Sequence, residues 1–407
     1  MNRTERRPTD DVWASRRRHP TARPVAPPRV SKTFVGLLAV VATLNLLGLV
    51  MVLSASSVSS LDTYGSSWYV VMRQAMWMAI GVAGCIAVMR VDYHRWRRLA
   101  LPALGLSGIL LALVLVPGIG TSANGATRWI GYGPLTLQPS ELAKLTVLVF
   151  VADLLARRAA WMSDARVTLV PVLVVFGTTG LLLMLQPNLG TTLVLGAIVL
   201  SVLYVAGTPL APLGALSAAG ALLATVLALA APYRRARVMA FLDPWKDYQD
   251  TGYQTIQSLV GIASGGITGT GLGQSRAKWG FLPYAHTDFI FAIIGEELGL
   301  VGALVVVALF VAFCVLGARA ALLAPDRFGM LLAAGVTTWF GVQAFINIGA
   351  VIGILPITGV PLPFVSYGGT SLMINLVAAG LLLNVARQGQ PPTPRRPAPR
   401  RTVASTR

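Results

Sequence analysis

Charge is what this sequence has least of: Asp, Glu, Lys and Arg supply 12% of its 407 residues, about half of what a soluble domain carries. That scarcity excludes an ordinary water-soluble enzyme. Cysteine occurs twice, at Cys85 and Cys314, each inside an apolar run, which excludes a disulfide framework and a cysteine metal cluster. Histidine occurs three times. His19 falls in the N-terminal tail and His94 in a loop assigned to the cytoplasm, so His286 alone is available outside. Ser366-Tyr367-Gly368-Gly369 lacks the strand and turn of a nucleophile elbow, and serine-hydrolase chemistry is disfavoured. What is abundant is apolar side chains, 55% of the chain, with a mean hydropathy of +0.69. The expected class is an all-α polytopic membrane protein.

The net charge is +18, yet 15 of the 33 bases lie in residues 1–33 and 387–407. Both tails, bounded here as 1–33 and 388–407, combine Arg with Pro and hold few apolar residues, so they are expected to be disordered. Acidic lipid headgroups or other proteins are their expected partners; nucleic acid is not, because no folded basic module accompanies them. The N-terminus is too long and too basic ahead of its first apolar stretch for a cleavable signal peptide.

A helix crossing about 30 Å of hydrocarbon needs roughly 20 apolar residues. Runs of that kind fall near 34–53, 70–89, 99–116, 141–156, 167–185, 189–206, 210–231, 289–317, 329–351 and 367–386, ten expected spans. Arg90, Arg95, Arg97, Arg98, Arg157, Arg158, Arg166, Arg319 and Arg327 share one set of loops, whereas the short loops of the other set carry only Arg128. The lysine and arginine bias therefore puts both termini in the cytoplasm. The long loop 232–287 is assigned outside despite Arg234, Arg235, Arg237, Lys246, Arg276 and Lys278, and a basic external loop suggests an anionic ligand. Its glycines, from Gly265 to Gly273, permit tight turns; a nucleotide-binding reading of them fails because no strand precedes and no βαβ unit surrounds them.

Asp288, in His286-Thr287-Asp288-Phe289, stands at the mouth of the eighth expected span. It either caps that helix or acts as a general base beside Lys278, Arg276 and Arg128, and one carboxylate can do both. Glu296 and Glu297 lie about 12 Å further along, at a depth where carboxylates must pair, cap a helix break or line a polar cavity. Lys144 is their candidate partner. Arg128-Trp129 reads either as an interfacial anchor or as a grip on phosphate and sugar. The run Leu355 to Pro363 is too rich in proline for helix and is expected to form a packed re-entrant loop lining a cavity.

Five segments carry a family pattern: GATRWI at 125–130, QPSELAKL at 138–145, QPNLGT at 186–191, LPYAHTDFIFAIIGEELG at 282–299 and INIGAVIGILPITGVPLPFVSYGGTS at 346–371. Together they resemble the SEDS family of bacterial cell-wall synthases over residues 34–387, and MVLSASSV at 51–58 with GLGQSRAKWGF at 271–281 look more like its division members than its elongation members. The resemblance implies ten transmembrane helices in the bacterial plasma membrane at the division septum. It also implies polymerisation of lipid II onto a nascent glycan strand, beside a class B penicillin-binding protein and other division proteins. It carries the family's essential aspartate onto Asp288, its tryptophan onto Trp129 with Arg128 beside it, and its lysine onto Lys144. His286, Glu296, Glu297 and Ser366 lie within the same motifs and are expected at the substrate site. Tyr284 departs from the pattern, since many members have Glu there. Inverting displacement of an α-linked diphosphate needs one base and no covalent intermediate. The leaving group would be stabilised by a divalent cation such as Mg2+, or by Arg128, Lys144, Arg276 and Lys278. The competing expectations are a lipid II flippase, which needs polar residues through the full depth, and a non-catalytic division scaffold.

Overall fold

The computed structural model describes residues 31–389 except 124, 125, 133, 134, 163 and 251; the two expected disordered tails lie outside the described residues but for their inner edges. The apolar runs form helices α1 (Lys32–Tyr64), α2 (Tyr69–Arg90), α3 (Trp96–Val114), α4 (Pro139–Arg157), α5 (Ala165–Leu185), α6 (Leu189–Ala206) and α7 (Leu210–Ala230). Two shorter helices follow, α8 (Pro232–Leu242) and α9 (Tyr253–Gly265), before the long helices α10 (Ile290–Leu322), α11 (Arg327–Val351) and α12 (Thr370–Gln388). The chain is a polytopic membrane protein. Among the described residues nine helices are long and apolar enough to cross a membrane. The fourth expected span, near 141–156, coincides with α4, 19 residues long, whose Glu141, Lys144, Asp153 and Arg157 dilute its hydropathy; packing against α3, α6 and α11 holds it in the bundle.

Lipid is as apolar as leucine, so helices associate in a membrane by close fit and internal polar contacts. The α2–α12 crossing shows both. A Cβ on Gly380 would stand 2.9 Å from the Cys85 carbonyl oxygen, so only glycine lets these backbones approach. Nearby, the Asn384 side chain donates to the Val88 carbonyl at 2.8 Å. At the same end Asp153 accepts from Arg97 at 2.6 Å and Arg157 at 2.8 Å.

The connections at the opposite end hold the non-helical structure. Between α3 and α4, where only an outer loop was expected, the chain forms an antiparallel sheet of β1 (Gly120–Ala123), β2 (Ala126–Tyr132) and β3 (Leu135–Leu137), in the order β1-β2-β3 with Trp129 opposite Thr121 and Ile130 opposite Leu137. Between α11 and α12, residues 352–369 are largely non-helical, as the prolines require.

The glycine-rich stretch expected as part of an outer loop packs into α10 instead. Gly299 interrupts α10 with φ 66° and ψ −167°, which strands helical carbonyls before it and N–H groups after it. Residues 266–271 take them up: the Thr270 and Gly271 N–H groups donate to the Glu296 and Glu297 carbonyls, each at 3.0 Å, and Leu300 and Val301 donate back to Gly266 and Ile267 at 2.9 and 3.2 Å. The irregular backbone is thus satisfied by protein.

Candidate active site

A cavity of about 970 Å3 opens where these connections meet, lined by β2, the α5–α6 turn, α7, α8, the turn before α10 and the re-entrant segment. Asp288 is the sole carboxylate among the described residues on its wall, in company with Arg73, Arg128, Arg234 and Arg237.

The turn carrying Asp288 is fixed backbone first. Tyr284 adopts φ 59°, and its carbonyl accepts from the Thr287 N–H at 3.0 Å and the Phe289 N–H at 3.4 Å. Asn347 of α11 donates to the Asp288 carbonyl at 2.8 Å and to the Val360 carbonyl at 2.9 Å, tying the turn to the re-entrant segment. The Ser366 hydroxyl donates to the Thr287 carbonyl at 2.6 Å and accepts from the Leu362 N–H at 2.9 Å. The Tyr367 N–H donates to the His286 carbonyl at 3.0 Å. The His286 ring stands edge-on to Tyr367, and burial holds its pKa below the ordinary value. Ser366 and His286 therefore position the turn from behind.

The capping alternative for Asp288 does not hold. Phe289 is the N-cap of α10 and no side chain caps it, leaving the Asp288 carboxyl to the cavity. Burial pushes its pKa up to about 6, against the opposing pull of Arg237 and then Arg128. A carboxylate with its pKa near working pH, facing a cavity, suits a general base.

Arg128 is braced by the turn between α5 and α6, its guanidinium donating to the Gln186 carbonyl at 3.1 Å and to the Pro187 carbonyl. Gln186 in turn donates to the Leu111 carbonyl at 2.9 Å, and Asn188 caps α6 by accepting from the Thr191 N–H at 3.4 Å, which gives the Gln and Asn of the Gln-Pro-Asn motif their roles. Trp129 lines the cavity with Arg128, so the pair faces the site and the anchoring alternative gives way. Arg237, not anticipated as a site residue, reaches the cavity from α8; it donates to the Ile357 carbonyl at 3.3 Å and stacks over the Tyr233 ring at 4.5 Å. Its signal was Tyr-x-x-x-Arg at helical spacing in the basic loop.

The other expected site residues lie off the cavity wall. Lys144 is fully buried and pairs with Glu141 at 2.8 Å, donates to Gln343 at 2.9 Å and faces the Trp339 ring; it is not the partner of Glu296 or Glu297. It supports the site at one remove, because Ser371 lines the cavity and donates to Glu141 at 2.9 Å. Glu297 accepts from Ser54 of α1 at 2.6 Å and from the Ser275 N–H at 3.2 Å, with Lys278 at 3.7 Å. Glu296 accepts from the Ser275 hydroxyl and from the Arg276 N–H at 2.8 Å. These carboxylates clamp the 270–278 loop against the α10 break. Lys278 is spent in that clamp and the Arg276 side chain is exposed elsewhere.

Among the described residues no three His, Cys, Asp or Glu side chains gather to hold a metal ion, and the cavity wall offers one carboxylate among arginines. That donor set does not fit a divalent cation held by the protein alone.

The FTSW_RODA_SPOVE family of cell cycle proteins matches residues 35–390. A Geobacter metallireducens protein named "probable peptidoglycan glycosyltransferase FtsW" is 42% identical over 351 residues, 86% of this chain and 93% of that one. Stage V sporulation protein E of Bacillus subtilis is 42% identical over 358 residues, covering 88% and 98% of the two chains. A solved structure described as "Structural coordination of polymerization and crosslinking by a peptidoglycan synthase complex" aligns with TM-score 0.72 and 33% identity over 87% of this chain and 97% of that one. A basic cavity with one raised carboxylate, framed by the five motifs, thus sits on a shared fold, and the chain belongs to the FtsW, RodA and SpoVE family of cell cycle proteins.

Proposed function

We propose that the chain is a peptidoglycan glycosyltransferase that polymerises lipid II into β-1,4 glycan strands during division. The observation that carries this reading is the lone carboxylate of Asp288 on the wall of a cavity it shares with Arg128 and Arg237. A sugar hydroxyl is a poor nucleophile until its proton is taken. Asp288 accepts the proton of the incoming GlcNAc 4-hydroxyl as its oxygen bonds to C1 of the MurNAc at the lipid-linked end of the strand. The bond from C1 to the undecaprenyl diphosphate breaks on the opposite face, so the α-linked donor gives a β-linked product in one step. Arg128 and Arg237 are the groups suited to hold the departing diphosphate, and Trp129 offers an apolar face for a sugar. Any Mg2+ in the reaction arrives bound to the diphosphate, since the wall supplies too few oxygen ligands.

In this reading the cavity end of the bundle faces outward, both termini are cytoplasmic, and the protein works at the septum beside a class B penicillin-binding protein. Joint purification of the two proteins from membranes tests the pairing, and two separate species would contradict it. The transport reading is weakened by the polar groups at depth: Lys144, Glu141 and Gln343 satisfy one another, as do Ser54, Glu297 and Lys278. The function is tested by incubating the purified protein and its transpeptidase partner with labelled lipid II. Polymer cleaved by a muramidase, with equimolar release of undecaprenyl diphosphate, supports it; lipid II moved across liposomes without polymer overturns it.

A further inference from the structure

Helix α8 has two faces and the cavity uses one of them. Tyr233, Arg234, Arg237 and Val238 look into the cavity. On the other side Arg235, Met239 and Leu242 form a stripe at spacings of four and three residues, with Met239 51% and Leu242 69% exposed. Trp245, 68% exposed, and Lys246 continue it into the next turn.

Its attachment says what covers this stripe. Only Ala231 separates α8 from α7, and α7 buries a single residue, Leu213, of its 21. Apart from Ala224, Thr225 and Ala228 on the cavity wall, a helix that apolar and that unburied suits immersion in lipid, and its end at Ala230 would then mark the edge of the hydrocarbon. A short helix starting at that level with apolar residues and an arginine on its outward face, followed by Trp, has the composition of an interfacial helix. Asp243, Asp247 and Asp250 fall after the helix ends, so Lys246 is the one base of that turn and the arginines are confined to α8.

We propose that the outward face of α8 lies in the headgroup layer of the surrounding membrane, with Met239 and Leu242 at the acyl boundary and Arg235 on the phosphates of anionic phospholipids. The membrane surface then holds α8 from outside while its inner face presents Arg237 to the cavity. The inference concerns anchoring and stands whether or not the glycosyltransferase reading holds.

The test uses the full chain in nanodiscs of phosphatidylcholine, alone or mixed with phosphatidylglycerol. Spin labels are placed singly at Met239→Cys, Leu242→Cys and Gln249→Cys with Cys85 and Cys314 replaced by Ala. The labels at 239 and 242 are expected to collide more with oxygen than with a water-soluble nickel chelate, and the label at 249 the reverse. Energy transfer from a dye at 242 to headgroup-labelled phosphatidylglycerol is expected to exceed that to labelled phosphatidylcholine severalfold, and Arg235→Gln to remove the difference. Nickel collisions dominating at 239 and 242 would overturn the proposal and leave the face to a protein partner. A headgroup preference unchanged by Arg235→Gln would overturn the phosphate contact.

Discussion

Asp288 is useful as a base because its surroundings disagree about its charge. Burial favours the protonated form and Arg237 and Arg128 favour the ionised one, with a balance at about 6. The base must be ionised, so polymerisation is expected to rise about tenfold per pH unit below 6 and level off above it. Arg237→Ala removes a cation that holds the pKa down, so the same limb should move to higher pH in an initial-rate profile. The same change removes a donor to the leaving diphosphate and is expected to cost about 100-fold in turnover with little change in thermal stability. A limb that stays in place would show that Arg237 does not act on Asp288. Asp288 was legible in the sequence because it stands in a long motif, His286 to Phe291, at the mouth of an expected span that directly follows a basic loop. Arg237 was hidden among six bases of one loop, since helical spacing does not tell which face of α8 meets the cavity.

The helix break at Gly299 and the loop that fills it form one unit, and its carboxylates are structural. Glu297→Gln leaves Lys278 buried without a counter-charge, a loss expected to cost about 3–5 kcal/mol. Ser54→Ala should cost only about 1 kcal/mol; melting curves in detergent would rank the two variants. Equal, small shifts would mean that the clamp contributes little to folding. The apolar runs announced the long helices because nothing but a helix satisfies its own backbone in lipid. The three-stranded sheet gave no comparable signal: its strands are three to seven residues long and their pairing depends on a turn. The loop's descent into α10 was equally hidden, because a glycine supplies freedom without saying which partner will use it. The pairing of Lys144 with Glu141 instead of Glu296 followed from helical spacing of three, which overrides a guess based on charge alone.

On the scale of the whole molecule, the bundle keeps its connections of opposite kinds at opposite ends: arginine-rich turns at one, the sheet, α8, α9 and the re-entrant segment around the cavity at the other. Close fit between α2 and α12 is part of what holds those ends in register. Gly380→Leu drives a side chain into the Cys85 backbone and is expected to abolish a monodisperse peak on size exclusion, whereas Gly108→Ala, facing open space, is expected to leave it intact. The family pattern and nine of the ten expected spans were readable because each occupies a long stretch of chain; the cavity was not, because its wall is assembled from segments as far apart in the chain as Arg73 and Ser371. Whether Asp288 is the base of a glycan polymerase is decided by comparing wild type and Asp288→Asn on labelled lipid II with the transpeptidase partner present. Polymer from wild type and none from a variant with the same melting curve and the same complex is the predicted result. Equal polymer from both would contradict it.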